Sequence, residues 1–284
     1  MNNIRILNQD FPRGRLSHVL FDFDGTISLI RKGWEEVMQD VMEGMIGGES
    51  GRVTAELRRE IAEYIDSSTG ILSIYQMRWL AEAVARWKLT ARVLSAGEYK
   101  RIYNERLLER KVYARLKSAS GEEEREKFLL RGAKEFLKIL KDTGAELLLA
   151  SGTDDVYVQR EASFLGVRDL FEDRIYGALD DTEEYTKENI IRRILKEDVA
   201  GSEGSIMAVF GDGPVEIRAA REYGALAVGV ASDEERGRGW NPKKVRRLAG
   251  AGADILIPDF AEGSELLALI RNSGMSSSRD SSPG

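Results

Sequence analysis

Short apolar runs alternate with helical patterns along much of the chain, and this alternation constrains the fold more than any other feature. Five runs have the length and composition of buried strands: residues 19–21, 146–151, 206–212, 225–232 and 253–259. The patterns between them are amphipathic; in residues 131–144 the apolar residues fall on one helical face and Gly144 ends the pattern. This alternation predicts an α/β fold with a parallel sheet and right-handed crossovers.

One long interval breaks the alternation. Between about residues 30 and 128 the apolar residues recur only with helical periodicity, and no strand-like run interrupts them. We therefore expect an all-helical domain inserted after the first strand. Its two joints are predicted near residues 28–32 and 122–130.

The composition excludes several kinds of site. The chain has no cysteine, which excludes disulfides, thiolate nucleophiles and zinc–sulfur sites. The single histidine, His18, argues against a histidine-rich metal site or a Ser-His-Asp triad. With 42 basic and 48 acidic residues the net charge is −6, which argues against a dedicated nucleic-acid-binding protein. No apolar run is long enough to span a bilayer and no secretion signal is recognisable, so we expect a cytoplasmic protein.

Polar residues stand at the ends of three predicted strands. Asp22, Ser151 and Asp212 each follow or end an apolar run. In a doubly wound sheet, ligands bind beyond the carboxyl ends of the strands, so these three side chains are expected to converge.

Several acidic residues near these strand ends predict a metal site. Asp22 and Asp24 stand one residue apart, and Asp212 and Glu216 lie about one helical turn apart. Buried carboxylates repel one another, and a divalent cation relieves that repulsion. Because all the candidate ligands are oxygens, Mg²⁺ is the expected cofactor.

A phosphate group is the expected companion of Mg²⁺. The hydroxyls and backbone N–H groups of residues 151–153, between a strand and a helix, suit phosphoryl oxygens. Lys187 is placed to neutralise charge as a phosphoryl group transfers. One aspartate can then attack phosphorus, and the other can protonate the leaving oxygen.

At this point the residues resemble a known family. The segments DFDGT (22–26), LLLASG (147–152), TKEN around Lys187 and GDGPVE (211–216) resemble, in order and spacing, the four motifs of the haloacid dehalogenase superfamily. The resemblance implies a Rossmann-like core and Mg²⁺-dependent phosphatase chemistry. It implies that the helical insertion is a type-one cap, which covers the site and recognises the leaving group of the substrate.

The resemblance also implies roles for individual residues. Asp22 corresponds to the nucleophile and Asp24 to the general acid/base, with its backbone carbonyl on the metal. Ser151 corresponds to the phosphate-holding hydroxyl and Lys187 to the charge partner. The metal ligands implied are Asp22, Asp24, Asp212 and Glu216.

Two departures from the family pattern qualify these roles. Glu188 follows Lys187 where many phosphatases of the family have proline, and Glu216 stands where aspartate is common. Glu216 is therefore either a metal ligand or a helix N-terminal acid that stabilises the helix dipole. Similarly, Ser151 is either a phosphate contact or the cap of the next helix.

Substrate-binding residues are expected in two places. Thr26 and Gly152 belong to the first two motifs. Within the insertion, residues 67–80 indicate a loop that enters a helix, and Thr69, Gly70, Gln76 and Arg78 are candidates for substrate recognition. The alternative is an ordinary helix start whose apolar residues pack in the insertion core.

Together these features predict a core of residues 1–29 and 129–272, a helical cap of residues 30–128 and a disordered tail, 273–284. The expected activity is hydrolysis of a small phosphorylated metabolite, a sugar or polyol phosphate, through an aspartyl-phosphate. A phosphosugar mutase with the same intermediate is the first alternative, and a non-catalytic sensor is the second. The sequence leaves the oligomeric state open.

Overall fold

The protein is described here by a computed structural model that covers residues 3–48, 51, 53–90, 92–179, 186–199 and 204–271. The predicted tail, 273–284, lies outside these residues. Within them, strands form one sheet: β1 (Arg5–Ile6), β2 (Arg15–Phe21), β3 (Glu146–Asp154), β4 (Ile175–Ala178), β5 (Ser205–Gly211), β6 (Leu226–Val230) and β7 (Ile255–Ile257).

The strand order is β1-β7-β6-β5-β2-β3-β4. Every neighbouring pair is parallel except β1 and β7, which are antiparallel. The predicted α/β fold with a parallel sheet is confirmed, with the addition of an antiparallel edge strand. The sequence analysis missed β1, which has two residues, and β4, where Gly177 interrupts a short apolar pattern.

β2 is an interior strand of the sheet, and the strand order reverses beside it. β3 pairs with one of its edges and β5 with the other, so the chain runs from β2 through β3 to β4 on one side and from β5 through β6 to β7 on the other. The crevice beyond the carboxyl end of β2 is thus a topological switch point, where α/β folds bind ligands.

Helices cover both faces of the sheet, because successive side chains of a buried strand point to opposite faces. Leu20 packs with Leu148 in the core of one face, whereas Phe21 packs with Phe136 and Phe210 in the core of the other. The rings of Phe21 and Phe210 stack with centroids 4.9 Å apart.

The helices after the insertion are α7 (Ala133–Asp142), α8 (Asp155–Phe164), α9 (Lys187–Ile194), α10 (Pro214–Tyr223), α11 (Pro242–Gly250) and α12 (Gly263–Arg271).

The long helical interval forms an insertion between β2 and β3, as predicted. Its helices are α1 (Trp34–Gly47), α2 (Ala55–Ser67), α3 (Ser73–Trp87), α4 (Ala96–Leu107), α5 (Tyr113–Ser118) and α6 (Glu122–Glu126). A π-helical turn, Leu108–Val112, joins α4 to α5. Met38, Leu57, Leu80 and Tyr103 are among its buried residues, and their cluster is continuous with the core on the Phe21 face of the sheet.

The two connections between insertion and sheet run side by side. The N–H of Leu29 donates to the carbonyl of Phe128 at 2.8 Å, and the N–H of Leu130 donates to that of Ile27 at 2.9 Å. The insertion is therefore anchored close to the end of β2. None of the helices in the described ranges combines the length and apolar character needed to cross a membrane.

Candidate active site

Asp22 is the first residue after β2, and its side chain is buried. Its Oδ1 accepts a hydrogen bond from the N–H of Phe23 at 2.8 Å and forms an ion pair with Nζ of Lys187 at 2.7 Å. Lys187 is the first residue of α9, and its side chain is buried rather than solvated. The structure thus brings together two residues that are far apart in the sequence.

Three buried carboxylates meet beside Lys187. Asp22, Asp212 and Glu216 each offer one oxygen, and these oxygens lie within 4.8 Å of one another. Asp212 follows β5, and Glu216 lies in the first turn of α10. Because the donor set consists only of carboxylate oxygens in a buried cluster, these residues fit a hard divalent cation such as Mg²⁺.

Glu216 supports the start of α10, and its role as a metal ligand stays a prediction. Its Oε1 accepts from the N–H of Gly213 at 2.8 Å, which satisfies a free donor at the start of α10. Its Oε2 lies 3.4 Å from Nζ of Lys187. The same side chain therefore supports a helix start and faces the acidic cluster.

Burial and neighbouring charges shift the pKa values of Asp22 and Asp212 in opposite directions. Burial raises the pKa of Asp22 well above its usual value; Lys187 opposes this shift, and the carboxylates of Glu216 and Asp212 reinforce it. Burial also acts to raise the pKa of Asp212, but the charges of Lys244 and Arg247, together with the hydrogen bond from Lys244, outweigh it, and the pKa of Asp212 is lowered. A bound cation would favour the ionised form of all three acids.

Asp24 lies apart from this cluster and faces a different set of groups. Its Oδ2 accepts hydrogen bonds from the hydroxyls of Thr153 at 2.8 Å and Ser151 at 3.4 Å. Its Oδ1 is buried and has no hydrogen-bond partner among the described residues. Burial raises the pKa of Asp24, and the guanidinium of Arg31 opposes that shift. The expected contact between the backbone carbonyl of Asp24 and a metal stays a prediction.

The end of β3 supplies the hydroxyl and amide groups of the predicted phosphate site. Ser151 does not cap the following helix, because Asp154 occupies the N-cap position of α8. Gly152 permits a close approach by the insertion: a Cβ there would lie 2.4 Å from the carbonyl oxygen of Ile71. The predicted phosphate loop and the insertion are thus in direct backbone contact.

The turn between α2 and α3 reaches into the site. Gly70 has φ +95°, a conformation that favours glycine, and a Cβ there would lie 2.4 Å from Oε2 of Glu216. The hydroxyl of Thr69 accepts from Nη1 of Arg247 at 3.2 Å, and Nη2 of Arg247 donates to the carbonyl of Asp212 at 2.8 Å. Arg247 therefore links this turn to the strand end that carries Asp212.

The cavity at the end of β2 gathers most of the predicted site residues. Those that line it are Asp22, Asp24, Thr69, Gly70, Gln76, Ser151, Gly152, Lys187 and Asp212. Gln76 is held by a hydrogen bond from its Nε2 to the hydroxyl of Ser68 at 3.1 Å. Residues of the sheet and of the insertion thus share one cavity.

Two predicted substrate-binding residues do not line this cavity. Arg78 is exposed and lines a second cavity between the insertion and α8, where its guanidinium lies 5.0 Å from the ring centroid of Tyr75. Helical periodicity explains this placement, since positions 76 and 78 fall on different faces of α3. Thr26, the last residue of the first motif, is fully buried.

The side chains of Asp154 and Asp155 bond to other segments at the end of β3. Asp154 makes no side-chain cap bond. It pairs with Nζ of Lys100 at 2.5 Å and accepts from Nδ2 of Asn104 at 2.9 Å, so it ties α4 to the end of β3. Asp155 accepts from the N–H of Gly177 at 3.2 Å.

Sequence reasoning missed two buried cations that form ion pairs next to the site. Arg31 pairs with Glu161 of α8, with Nη2 2.7 Å from Oε1. Lys244 of α11 contacts Oδ2 of Asp212 at 2.7 Å and Oε1 of Glu234 at 2.6 Å. Nothing local distinguishes these cations from the other basic residues nearby, because their partners come from distant segments.

Comparison with known families decides what kind of protein carries this site. The family model of the haloacid dehalogenase-like hydrolases matches residues 16–224, which include every acid of the cluster and Lys187. The chain belongs to the haloacid dehalogenase-like hydrolases. No curated protein is a significant match to this hydrolase in sequence.

Solved structures agree with the fold of this hydrolase. A protein described as a predicted phosphatase from Clostridium acetobutylicum superposes with a TM-score of 0.55 at 20% identity, covering 89% of this chain and 99% of its own. A predicted phosphoglycolate phosphatase from Haemophilus somnus 129pt gives a TM-score of 0.55 at 16% identity, covering 89% and 98%. A protein provisionally named a beta-phosphoglucomutase, from Bacteroides vulgatus, gives 0.53 at 16% identity, covering 91% of each chain. At these identities the likeness concerns the fold.

Proposed function

We propose that this chain is a cytoplasmic, Mg²⁺-dependent phosphomonoester hydrolase that acts on a small phosphorylated metabolite through an aspartyl-phosphate. The observation that carries the proposal is the arrangement around Asp22. Its carboxylate contacts Lys187 and belongs to a buried group of three acids, and Asp24 lines the same cavity. An attacking carboxylate, a proton donor and a cation site are the groups that phosphoryl transfer requires.

In the first step, a carboxylate oxygen of Asp22 attacks phosphorus and the bond from phosphorus to the ester oxygen breaks. Asp24 donates a proton to the departing oxygen, so the leaving group departs as an alcohol. The raised pKa of Asp24 suits this role, because a carboxyl group must keep its proton to act as an acid. Ser151 and the N–H groups near it hold the phosphoryl oxygens.

In the second step, water attacks the phosphorus of the aspartyl-phosphate. The ionised Asp24 accepts a proton from that water, and the bond between phosphorus and the Asp22 oxygen breaks to release inorganic phosphate. Lys187, held between Asp22 and Glu216, stabilises negative charge on the transferring group in both steps.

Asp22, Asp212 and Glu216 are the side chains that would hold Mg²⁺, together with the backbone carbonyl of Asp24. The cation would supply positive charge to the phosphoryl oxygens and to the three carboxylates. The insertion would act as the cap: Thr69, Gly70 and Gln76 close one side of the cavity, where they exclude water and contact the leaving group.

A phosphosugar mutase is the second candidate. It is supported by the structural neighbour provisionally named a beta-phosphoglucomutase and by the direct contact between the insertion turn and the phosphate loop. Incubation with a sugar 1-phosphate distinguishes the two activities, since hydrolysis releases phosphate and a mutase yields an isomeric sugar phosphate. The sensor alternative is disfavoured because Asp22, Asp24, Ser151, Lys187 and Asp212 are all present.

The test is phosphate release from sugar, polyol, nucleotide and amino-acid phosphates, with Mg²⁺ and with EDTA. Release that depends on Mg²⁺ and favours one group of substrates supports the proposal and identifies the class. A folded protein that releases no phosphate from any of them in the presence of Mg²⁺ contradicts it.

A further inference from the structure

Arg31 stands where the insertion leaves the sheet, and its guanidinium is fixed. Nε lies 3.1 Å from both carboxylate oxygens of Glu161, and Nη2 lies 2.7 Å from Oε1. Only 4% of Arg31 and 1% of Glu161 are exposed, yet Arg31 lines the central cavity. A bidentate ion pair of this kind fixes the orientation of a guanidinium as well as its position.

The one free oxygen of Asp24 faces this guanidinium. Oδ2 of Asp24 is occupied by the hydroxyls of Thr153 and Ser151, whereas Oδ1 is buried, has no hydrogen-bond partner among the described residues, and lies 4.0 Å from Nε of Arg31. Under the proposed mechanism, the ester oxygen of the substrate must come within hydrogen-bond reach of that Oδ1. The atoms of the leaving group next to the ester oxygen then lie against Arg31.

Arg31 retains a donor for those atoms. Its hydrogen bonds within the described part of the chain use Nε and Nη2, which leaves Nη1 for a ligand. The charge of the guanidinium is already balanced by Glu161, and Asp24 is a second acid on the same side. A carboxylate or second phosphate on the leaving group would meet two acids and one guanidinium, so the surroundings favour an uncharged oxygen.

We propose that Arg31 is a specificity-determining residue that donates a hydrogen bond to an uncharged oxygen of the leaving group, on the carbon next to the ester carbon. Glu161 is its positioning residue: it orients the guanidinium and cancels its charge. The inference rests on the proposed phosphatase function and narrows its substrate class to monoesters of neutral, hydroxylated alcohols.

Three small monoesters test the inference, because they share a CH₂–O–phosphate group and differ only in what that carbon carries. The substituent is CH₂OH in 2-hydroxyethyl phosphate, CH₃ in ethyl phosphate and a carboxylate in 2-phosphoglycolate. With the wild-type enzyme and Mg²⁺, kcat/KM for the hydroxyl ester should exceed that for ethyl phosphate by about 10-fold to 100-fold, the effect of a hydrogen bond from a charged donor. It should also exceed that for 2-phosphoglycolate.

Variants assign the effect to Arg31. In Arg31→Met the ratio of kcat/KM for the hydroxyl ester to that for ethyl phosphate should fall to near one, and Arg31→Lys should restore part of it. Glu161→Gln should shift preference from the hydroxyl ester toward 2-phosphoglycolate, because it removes the compensating charge. Arg59→Met, at an exposed position of α2, is the matched control and should keep the wild-type ratio.

Arg31→Met leaves Glu161 buried without a counter-ion and can fail to fold. The double variant Arg31→Met/Glu161→Gln avoids this and should also lose discrimination.

Equal kcat/KM for all three esters in the wild-type enzyme, a preference for 2-phosphoglycolate, or an unchanged ratio in the Arg31 variants overturns the role of Arg31 alone. Absence of phosphate release from these esters and from the whole wider panel overturns the phosphatase function and this inference together.

Discussion

The two walls of the central cavity differ in charge. The sheet wall carries Asp22, Asp24, Lys187 and Asp212, all of them charged groups at strand or helix ends. The wall formed by the turn after α2 and by helices α3 and α4 is uncharged; it consists of Thr69, Gly70, Ile71, Ser73, Gln76, Tyr103, Asn104 and Leu107. A phosphoryl group requires charge, whereas the rest of a small metabolite is recognised mainly by shape and hydrogen bonds.

The difference has a physical basis in how each wall is built. Buried charges are costly unless they are paired, and the sheet wall pairs them across segments: Lys187 with Asp22, and Lys244 with Asp212. Rigid strands hold those pairs in place. The facing wall belongs to the helical insertion, which is joined to the sheet through two adjacent connections, and it carries few charges that would be left unpaired if the insertion moved.

The strongest test of the sheet wall is Asp22→Asn. Removal of the attacking oxygen should lower kcat by about 10⁴-fold or more, with little change in folding, as expected for loss of a nucleophile. Phosphate release on the best substrate of the panel measures it. Asp169→Asn, at a fully exposed position, serves as the control and should retain wild-type activity. Wild-type rates in Asp22→Asn would remove Asp22 from the mechanism.

Removal of Mg²⁺ should have the next largest effect. EDTA should lower activity by at least about 10²-fold, because a bound cation contributes several kcal/mol to the transition state. Added Mg²⁺ should also raise the Tm of the inactive Asp22→Asn protein, and raise it less in an Asp212→Asn variant. An activity that EDTA leaves intact would argue against a metal-dependent reaction.

The stabilisation by Mg²⁺ should grow with pH. The raised pKa of Asp22 means that the folded, metal-free protein holds this proton more tightly than the unfolded chain does. Ionisation of Asp22 therefore lowers the free energy of unfolding of the metal-free protein progressively as pH rises from about 4 through the raised pKa. Mg²⁺ competes with that proton and offsets this loss, so the increase in Tm that Mg²⁺ gives the wild-type protein, which keeps the Asp22 carboxyl, should be larger at pH 7.5 than at pH 5.5. An increase that is equal at both pH values would place the ion elsewhere.

The insertion wall is tested by Gly70→Ala. A methyl group there meets Glu216, and φ is +95°, so the turn must shift at a cost of about 1–3 kcal/mol. We expect kcat/KM to fall about 10-fold or more on the preferred substrate. Gly97→Ala is the matched control, since a Cβ at Gly97 of α4 meets no heavy atom within 4 Å. Equal behaviour of the two variants would show that the turn does not approach the site in solution.

Arg78→Ala should have the smallest effect. Arg78 is exposed and lines a different cavity, so we expect less than about 2-fold change in kcat/KM, the size typical of surface substitutions. Steady-state kinetics on the substrate most affected by Gly70→Ala would measure it. A 10-fold loss there would restore Arg78 as a substrate contact and extend the charged surface to the insertion.

The sequence alone determined the elements with strong local signals. Apolar runs of strand length, the helical period of residues 30–128 and the residues at the ends of β2, β3 and β5 predicted the sheet, the insertion and the convergence of Asp22, Ser151 and Asp212. These predictions depend on short-range periodicity and on the geometry common to parallel sheets, which require no knowledge of distant contacts. The two-residue β1 and the glycine-interrupted β4 lack such periodicity and were missed.

Tertiary structure alone decided which charged side chains face one another. Arg31 and Lys32 are adjacent in sequence, yet Arg31 is buried against Glu161, 130 residues away, and Lys32 lies at the surface against Glu235. Likewise Lys244, and not its neighbour Lys243, contacts Asp212, because Lys244 lies on the face of α11 that is turned toward Asp212. Residue type fixes what a side chain can do, but the packing of distant segments fixes which of several equivalent side chains is buried and paired at the site.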